Sequence, residues 1–207
     1  MIPLFVDCSC KRIVIFGGGE VASRKAAYFS READVLVVSR SFSSKISALP
    51  VKQKVLDVNT APDEEIVGII NEAFLVIGTF PQPALNNRIG EICKDHRILF
   101  NNADGKAGDV IIPSVTGGNN YLLAISTMGD SPAISRFIRE LIETHYPALD
   151  DMVVLQRDLR EQLKHIEPSQ SRRNAILREV INDRTIWEIL KKDPGKVRQQ
   201  LKERYLQ

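Results

Sequence analysis

The 207 residues are 43% hydrophobic and 26% charged with a formal net charge of +2, proportions of a globular chain able to bury a sizeable core in one large or two small domains. No apolar run approaches the roughly 18 residues of a membrane span, and the start lacks the basic stretch and long apolar run of a secretory leader, so a cytoplasmic protein with no membrane partner is expected. Charge is near balance even in the basic-looking tail, so no nucleic-acid partner is expected either.

Residues 1–6 read as a first short strand. Cys8-Ser9-Cys10 follows, and three cysteines in all are too few and too close for a disulfide framework, which fits a reducing compartment. Two thiolates could ligate a metal, but His96, His145 and His165 are scattered and none completes a tetrahedral set. The pair is instead expected to alternate along an edge strand, with no metal site.

Apolar, β-branched runs recur at 13–16, 35–38, 55–58, 74–77, 98–100 and 110–112. Between them, Val21, Ala22, Ala26 and Phe29 keep the spacing of one helical face, as do Ile66, Val67, Ile69 and Ile70, and then Leu85, Ile89, Ile92 and Cys93. Strands apolar throughout, alternating with amphipathic helices, predict a parallel sheet covered on both sides: a doubly wound α/β domain over residues 1–112. One further strand is expected at 121–126. Gly129-Asp130-Ser131-Pro132 then marks a helix start, with Ser131 as N-cap and Pro132 in the first helical position. Ile134, Phe137, Ile138, Leu141 and Ile142 keep helical spacing up to Tyr146-Pro147. Residues 148–207 read as helices only, broken near 167–169 and 193–195, and form a small helical C-terminal domain.

Chemistry enters at the first strong strand, which runs into Gly17-Gly18-Gly19 and then a helix. Gly17, Gly19 and Ala22 make G-x-G-x-x-A, the Rossmann-like pattern for a dinucleotide. The first glycine permits a tight turn, the second lets the backbone approach a pyrophosphate, and the small third residue lets helix pack closely on strand. The Glu20 and Val21 amides, at the helix N-terminus, should face that pyrophosphate. The second strand ends in Val38-Ser39-Arg40-Ser41, without the acid that usually holds the ribose hydroxyls. Ser39 and Ser41 could bond the ribose, with Phe42 beside them. Arg40 is open to three readings: a partner for the 2′-phosphate of NADP, a plane stacked on adenine, or a solvated cation. Thr79, ending the fourth strand, could reach the nicotinamide ribose or simply close the strand.

These residues resemble the precorrin-2 dehydrogenase family, which includes the N-terminal part of siroheme synthases. The likeness rests on Gly17-Gly18-Gly19-Glu20-Val21-Ala22 with Arg24-Lys25-Ala26, and on Pro3-Leu4-Phe5, Asn101-Asn102-Ala103-Asp104 and Ile112-Pro113-Ser114. It continues through Ala124-Ile125-Ser126-Thr127, Ser131-Pro132 and Arg139-Glu140, spanning about residues 1–145. The resemblance implies oxidation of precorrin-2 to sirohydrochlorin with NAD as hydride acceptor, with ferrous iron insertion added in some members. It also implies a homodimer formed through a dimerisation segment at residues 113–147.

Asp104 matches the family's catalytic base, and it lies beyond a strand at the carboxyl edge where such folds bind ligands. An Asp-Gly turn is the alternative reading. A substrate with eight carboxylates calls for cations, hydroxyls and free amides. Arg24, Lys25, Lys106 and Arg136 are the candidate cations, and Asn102, Ser126 and Thr127 the candidate polar partners. Some members carry serine where Thr127 falls. A dinucleotide-sensing module without chemistry is a competing reading, because fold alone does not fix function, although such a module has no need of Asp104 or Ser126-Thr127.

Overall fold

The computed structural model describes residues 1–104 and 108–206. The chain forms two compact units, Met1–Ile112 and Pro113–Gln207. In the first, strands β1 (Arg12–Phe16), β2 (Asp34–Ser39), β3 (Lys52–Val55), β4 (Leu75–Gly78) and β5 (Leu99–Asn102) alternate with helices α1 (Glu20–Phe29), α2 (Ser44–Ser47), α3 (Asp63–Ile70) and α4 (Pro83–Asp95). The sheet is wholly parallel, in the order β3-β2-β1-β4-β5.

The central place of β1 explains its composition. Ile13, Val14, Ile15 and Phe16 are all fully buried, and successive side chains turn to opposite faces. Val14 and Phe16 join Val38, Val76 and Phe100 under Ile66 and Ile70 of α3 and Ile89 and Cys93 of α4. Ile13 and Ile15 join Val35, Val37 and Ile77 under Ala22 and Ala26 of α1 and Ile46 of α2. Each fully buried Val, Ile or Phe side chain among them contributes roughly 1.5–3 kcal/mol by leaving water. Arg12, at the foot of β1, caps the carbonyls of Ile69 and Asn71 at 3.1 and 3.2 Å, fastening the end of α3 to the sheet.

Four local expectations give way to the structure. β3 occupies Lys52–Val55 rather than 55–58. It is an edge strand, so its side chains need not be apolar: Lys52 pairs with Asp34 at 2.9 Å and Lys54 with Glu65 at 3.6 Å. A charged edge also discourages pairing with another sheet. Val58 reaches the core from the loop that follows.

Residues 110–112 make no strand, because the chain folds back irregularly beside β5. Both Asp109 N and Val110 N donate to Phe100 O, at 2.8 and 3.2 Å, so a regular ladder cannot propagate. Val110 and Ile112 nonetheless cover the Ile13 and Ile15 face of the sheet.

Residues 1–6 run without regular structure, with Ile2 83% exposed. Cys8 and Cys10 do not alternate along a strand. A turn closed by Lys11 N donating to Cys8 O at 3.0 Å holds them, with Cys10 at φ 59°.

The second unit opens with an antiparallel hairpin of β6 (Ser114–Gly117) and β7 (Leu122–Ile125) and helix α5 (Pro132–His145). β6 was not anticipated. The α5 start follows the sequence signal: the Ser131 hydroxyl accepts from Ile134 N, and Pro132 leads the helix. Helices α6 (Leu149–Ile166), α7 (Gln170–Asn182), α8 (Arg184–Leu190) and α9 (Pro194–Tyr205) enclose a core of their own that includes Leu155, Leu159, Leu163, Ile186, Leu190 and Leu201. Asp150, in the first turn of α6, ties down the hairpin by accepting from Asn120 N at 2.7 Å and Asn120 Nδ2 at 2.9 Å.

Candidate dinucleotide and substrate site

The strand order reverses between β1 and β4, and a crevice at such a reversal, outside the carboxyl ends of the strands, is where open α/β sheets take their ligands. Phe16 and Gly78 are register partners there, so Gly17 and Thr79 face each other across its floor.

Three consecutive glycines meet three different demands. Gly17 sits at φ 122°, a backbone state that side chains disfavour, and a Cβ on it would strike Thr79 Oγ1. Gly18 is the most constrained: a Cβ there would strike the Ser41 carbonyl oxygen and approach Ser39 Oγ to 2.7 Å. Its own carbonyl accepts from Ser43 N at 2.9 Å, locking the glycine turn to the loop after β2. Gly19 differs. Its φ of −90° suits any residue, and a Cβ there would meet no atom of the described residues within 4 Å.

Gly19 is the N-cap of α1 and supplies no side-chain cap. The first amides of the helix, Glu20 and Val21 among them, have no carbonyl one turn earlier to bond and carry the positive end of the helix dipole. Open space above a glycine backed by such amides fits a pyrophosphate. Ala22, fully buried with Ser23 and Ala26, allows the close approach of α1 to the sheet. The exposed Glu20 carboxylate holds Lys45 at 2.7 and 2.9 Å, and this bond and the lysine charge keep its pKa below the ordinary carboxylate value.

At the end of β2, Ser39 is buried, Arg40 and Ser41 are exposed, and Phe42 is half-buried against the Ile13 and Ile15 cluster. Arg40 has an acidic neighbour from the loop after β3, Asp57, at 3.7 Å. Thr79 closes the crevice floor: its amide and its hydroxyl both donate to Phe16 O, at 2.9 and 2.8 Å, leaving the hydroxyl oxygen as an acceptor. Asn86, fully buried on α4, braces the turn after Thr79 by accepting from Phe80 N at 3.0 Å and donating to Phe80 O at 2.9 Å.

β5 brings the remaining candidates of this unit to the same edge. Asn102 is buried, and its Oδ1 accepts from Asp104 N at 3.0 Å, a local turn that leaves the Asp104 carboxylate exposed. Asn101, also buried, donates to Val110 O at 2.7 Å and accepts from Lys25 Nζ at 3.1 Å. Lys25 thus turns its half-buried ammonium onto β5. Burial, with the Arg24 charge behind it, lowers its pKa to about 8. Arg24 is exposed. Lys106 lies outside the described residues.

In the second unit, Thr127 and Ser126 shape the entry to α5. Thr127 Oγ1 accepts from Ser131 N at 2.9 Å and donates to Ser131 O at 3.0 Å, while Ser126 Oγ accepts from Met128 N at 3.1 Å. Arg136 is exposed and paired with Glu140 at 2.7 Å, a bond that raises its pKa. Among the described residues, no group of three or more His, Cys, Asp or Glu side chains is arranged to hold a metal, and no helix is long and apolar enough to cross a membrane.

Sequence reasoning passed over Gly18, Asn86 and Asp57. The fingerprint leaves the middle glycine unspecified. Asn86 offered a faint signal, a polar residue on the apolar Leu85, Ile89, Ile92 face. Asp57 offered none, because only the pairing of β2 with β3 brings it beside Arg40.

A parallel sheet in this order, with a glycine turn and an uncapped helix N-terminus at its switch point, defines a dinucleotide-binding protein of the Rossmann type. Residues 4–114 match the family described as "Putative NAD(P)-binding". The chain is 42% identical, over 90% of its length and 85% of the relative's, to the precorrin-2 dehydrogenase of Methanosarcina barkeri, and it belongs to the precorrin-2 dehydrogenase family. It is also 30% identical to the siroheme synthase of Azotobacter vinelandii, matching 86% of this chain but 39% of that longer protein. The solved structure of SirC, a precorrin-2 dehydrogenase, shares the fold with a TM-score of 0.71 and 23% identity, covering 98% of this chain and 100% of SirC.

Proposed function

We propose that this protein oxidises precorrin-2 to sirohydrochlorin, with NAD as the hydride acceptor. The kinship with the Methanosarcina protein along nearly the whole of both chains carries this reading. Bound NAD supplies a nicotinamide ring that takes up two electrons and a proton as hydride.

The residues divide the remaining work. Gly17, Gly19 and the amides of Glu20, Val21 and Ala22 hold the pyrophosphate, while Ser39, Arg40, Ser41 and Phe42 receive the adenosine. Thr79 offers its oxygen to the nicotinamide ribose. Loss of two hydrogens from the macrocycle releases a proton besides the hydride, and the Asp104 carboxylate accepts it as general base. Arg24, Lys25, Asn102, Ser126 and Thr127 bind substrate carboxylates and polar groups.

The protein is a cytoplasmic homodimer, without a nucleic-acid or membrane partner. Residues 113–147 form the dimerisation segment and residues 148–207 a separate helical domain. Similarity to a siroheme synthase favours a second activity, insertion of ferrous iron into the product, for which Asp104 would again serve.

The test is incubation with freshly generated precorrin-2 and NAD, following sirohydrochlorin by its absorbance, and then repetition with ferrous iron. No product with wild-type protein overturns the dehydrogenase. Iron insertion no faster than in the absence of protein overturns the chelatase.

A further inference from the structure

We infer that Asp57 makes this protein select NAD over NADP, by engaging the Arg40 guanidinium that would otherwise hold a 2′-phosphate and by setting a fixed negative charge where that phosphate would lie. The inference rests on the dinucleotide reading and names what chooses between its two ligands.

The sheet supplies the geometry. Ser39 and Val55 are register partners, and Leu56 N donates to Ser39 O at 3.1 Å, so the ends of β2 and β3 run side by side past the last ladder pair. Arg40 lies one residue beyond β2 and Asp57 two residues beyond β3, with Arg40 NH1 and Asp57 Oδ2 3.7 Å apart.

Arg40 does not hold Asp57 in place. Asp57 Oδ1 accepts from Asn59 N at 3.0 Å and Asn59 Nδ2 at 2.9 Å, an independent fixture from its own loop. Those bonds, reinforced by the Arg40 charge, keep the carboxyl below its ordinary pKa and therefore ionised at neutral pH. The Arg40 side chain is 69% exposed, so the guanidinium is free to swing, whereas the carboxylate is anchored.

A ribose carrying only hydroxyls can donate to an ionised carboxylate. A 2′-phosphate is a strong acceptor with no proton to offer, and must compete with Asp57 for Arg40 while repelling it. The acid that dinucleotide sites usually place at the end of the second strand is here delivered from the third.

Calorimetric titration of the purified protein with NAD and with NADP tests this without any substrate. Wild-type protein is expected to bind NAD more tightly. Asp57→Asn keeps the Oδ1 acceptor for Asn59 and is expected to give a gain of about tenfold in NADP affinity relative to NAD, the scale of one hydrogen bond between charged partners. Adding Arg40→Ala to Asp57→Asn should abolish that gain.

Equal weakening of both nucleotides by Asp57→Asn would reduce Asp57 to a loop residue and overturn the inference. An unchanged NAD to NADP ratio, or a wild-type preference for NADP, would also overturn it. Wild-type protein that binds neither nucleotide overturns the dinucleotide reading itself, and the inference with it.

Discussion

Adjacent glycines in this turn should fail in different ways when given a side chain. Gly18→Ala drives a methyl into the Ser41 carbonyl, a backbone group that cannot swing aside, so folding stability should fall by roughly 1–3 kcal/mol. A Cβ at Gly19 meets no atom of the described residues within 4 Å, so Gly19→Asp should unfold at the wild-type denaturant concentration, yet its carboxylate would occupy and repel the pyrophosphate and abolish NAD binding. Chemical denaturation with calorimetric titration on both variants separates the two; a stable Gly18→Ala or an NAD-binding Gly19→Asp contradicts the assignment. At Asp104 the same logic isolates chemistry from binding. Asn preserves the size and the backbone bond to Asn102 but cannot accept a proton, so Asp104→Asn should slow precorrin-2 oxidation about 10²-fold or more with NAD affinity unchanged. Turnover at the wild-type rate would return Asp104 to a turn residue.

Between elements, the tie from α1 to β5 carries a pH signature. Burial and the neighbouring Arg24 bring the Lys25 pKa from 10.5 down to about 8. From about 8 to 10.5 the unfolded chain holds a proton that the folded chain has released, so this group makes stability rise with pH across that window, its penalty being fully felt below about 8. The stability of wild type relative to Lys25→Met should therefore climb between pH 8 and 10, as denaturant unfolding of the pair would show; a constant difference would mean an unperturbed amine. Most elements were legible in the sequence because one force wrote them: the inner residues of β1, β2 and β4 pack against helices on both faces and had to be apolar. β3 was misplaced because an edge strand answers to solvent as much as to the core, and its lysines carry no strand signal. Residues 110–112 misled for the converse reason, as β-branched side chains can cover a sheet without joining its ladder. The break between α7 and α8 has no proline or glycine; Asp183 makes it by capping Thr185 N at 2.9 Å. In the site, the glycine fingerprint and Asp104 stood in contiguous motifs, whereas Asp57 with Arg40 and Lys25 with Asn101 are pairings that only the fold creates.

For the whole molecule, stability and assembly turn on where apolar surface remains. The first unit buries a sheet on both faces and the second closes a helical core, yet α5 carries Ile134, Phe137 and Leu141 in one stripe, 49%, 57% and 43% exposed. Three large side chains at helical spacing form a contiguous apolar patch of the kind that marks a protein interface. A second copy of the chain is the partner the family resemblance implies, and a two-fold pairing would let one stripe cover its equivalent. Light scattering at micromolar concentration should therefore return twice the 23.2 kDa chain mass. Phe137→Glu sets a charge in the middle of the stripe on the exposed side of α5, where the isolated fold loses little, and should return the single-chain mass with an unchanged circular dichroism spectrum. Wild-type protein at 23.2 kDa would refute the dimer, and a Phe137→Glu variant that keeps the doubled mass would move the interface off α5.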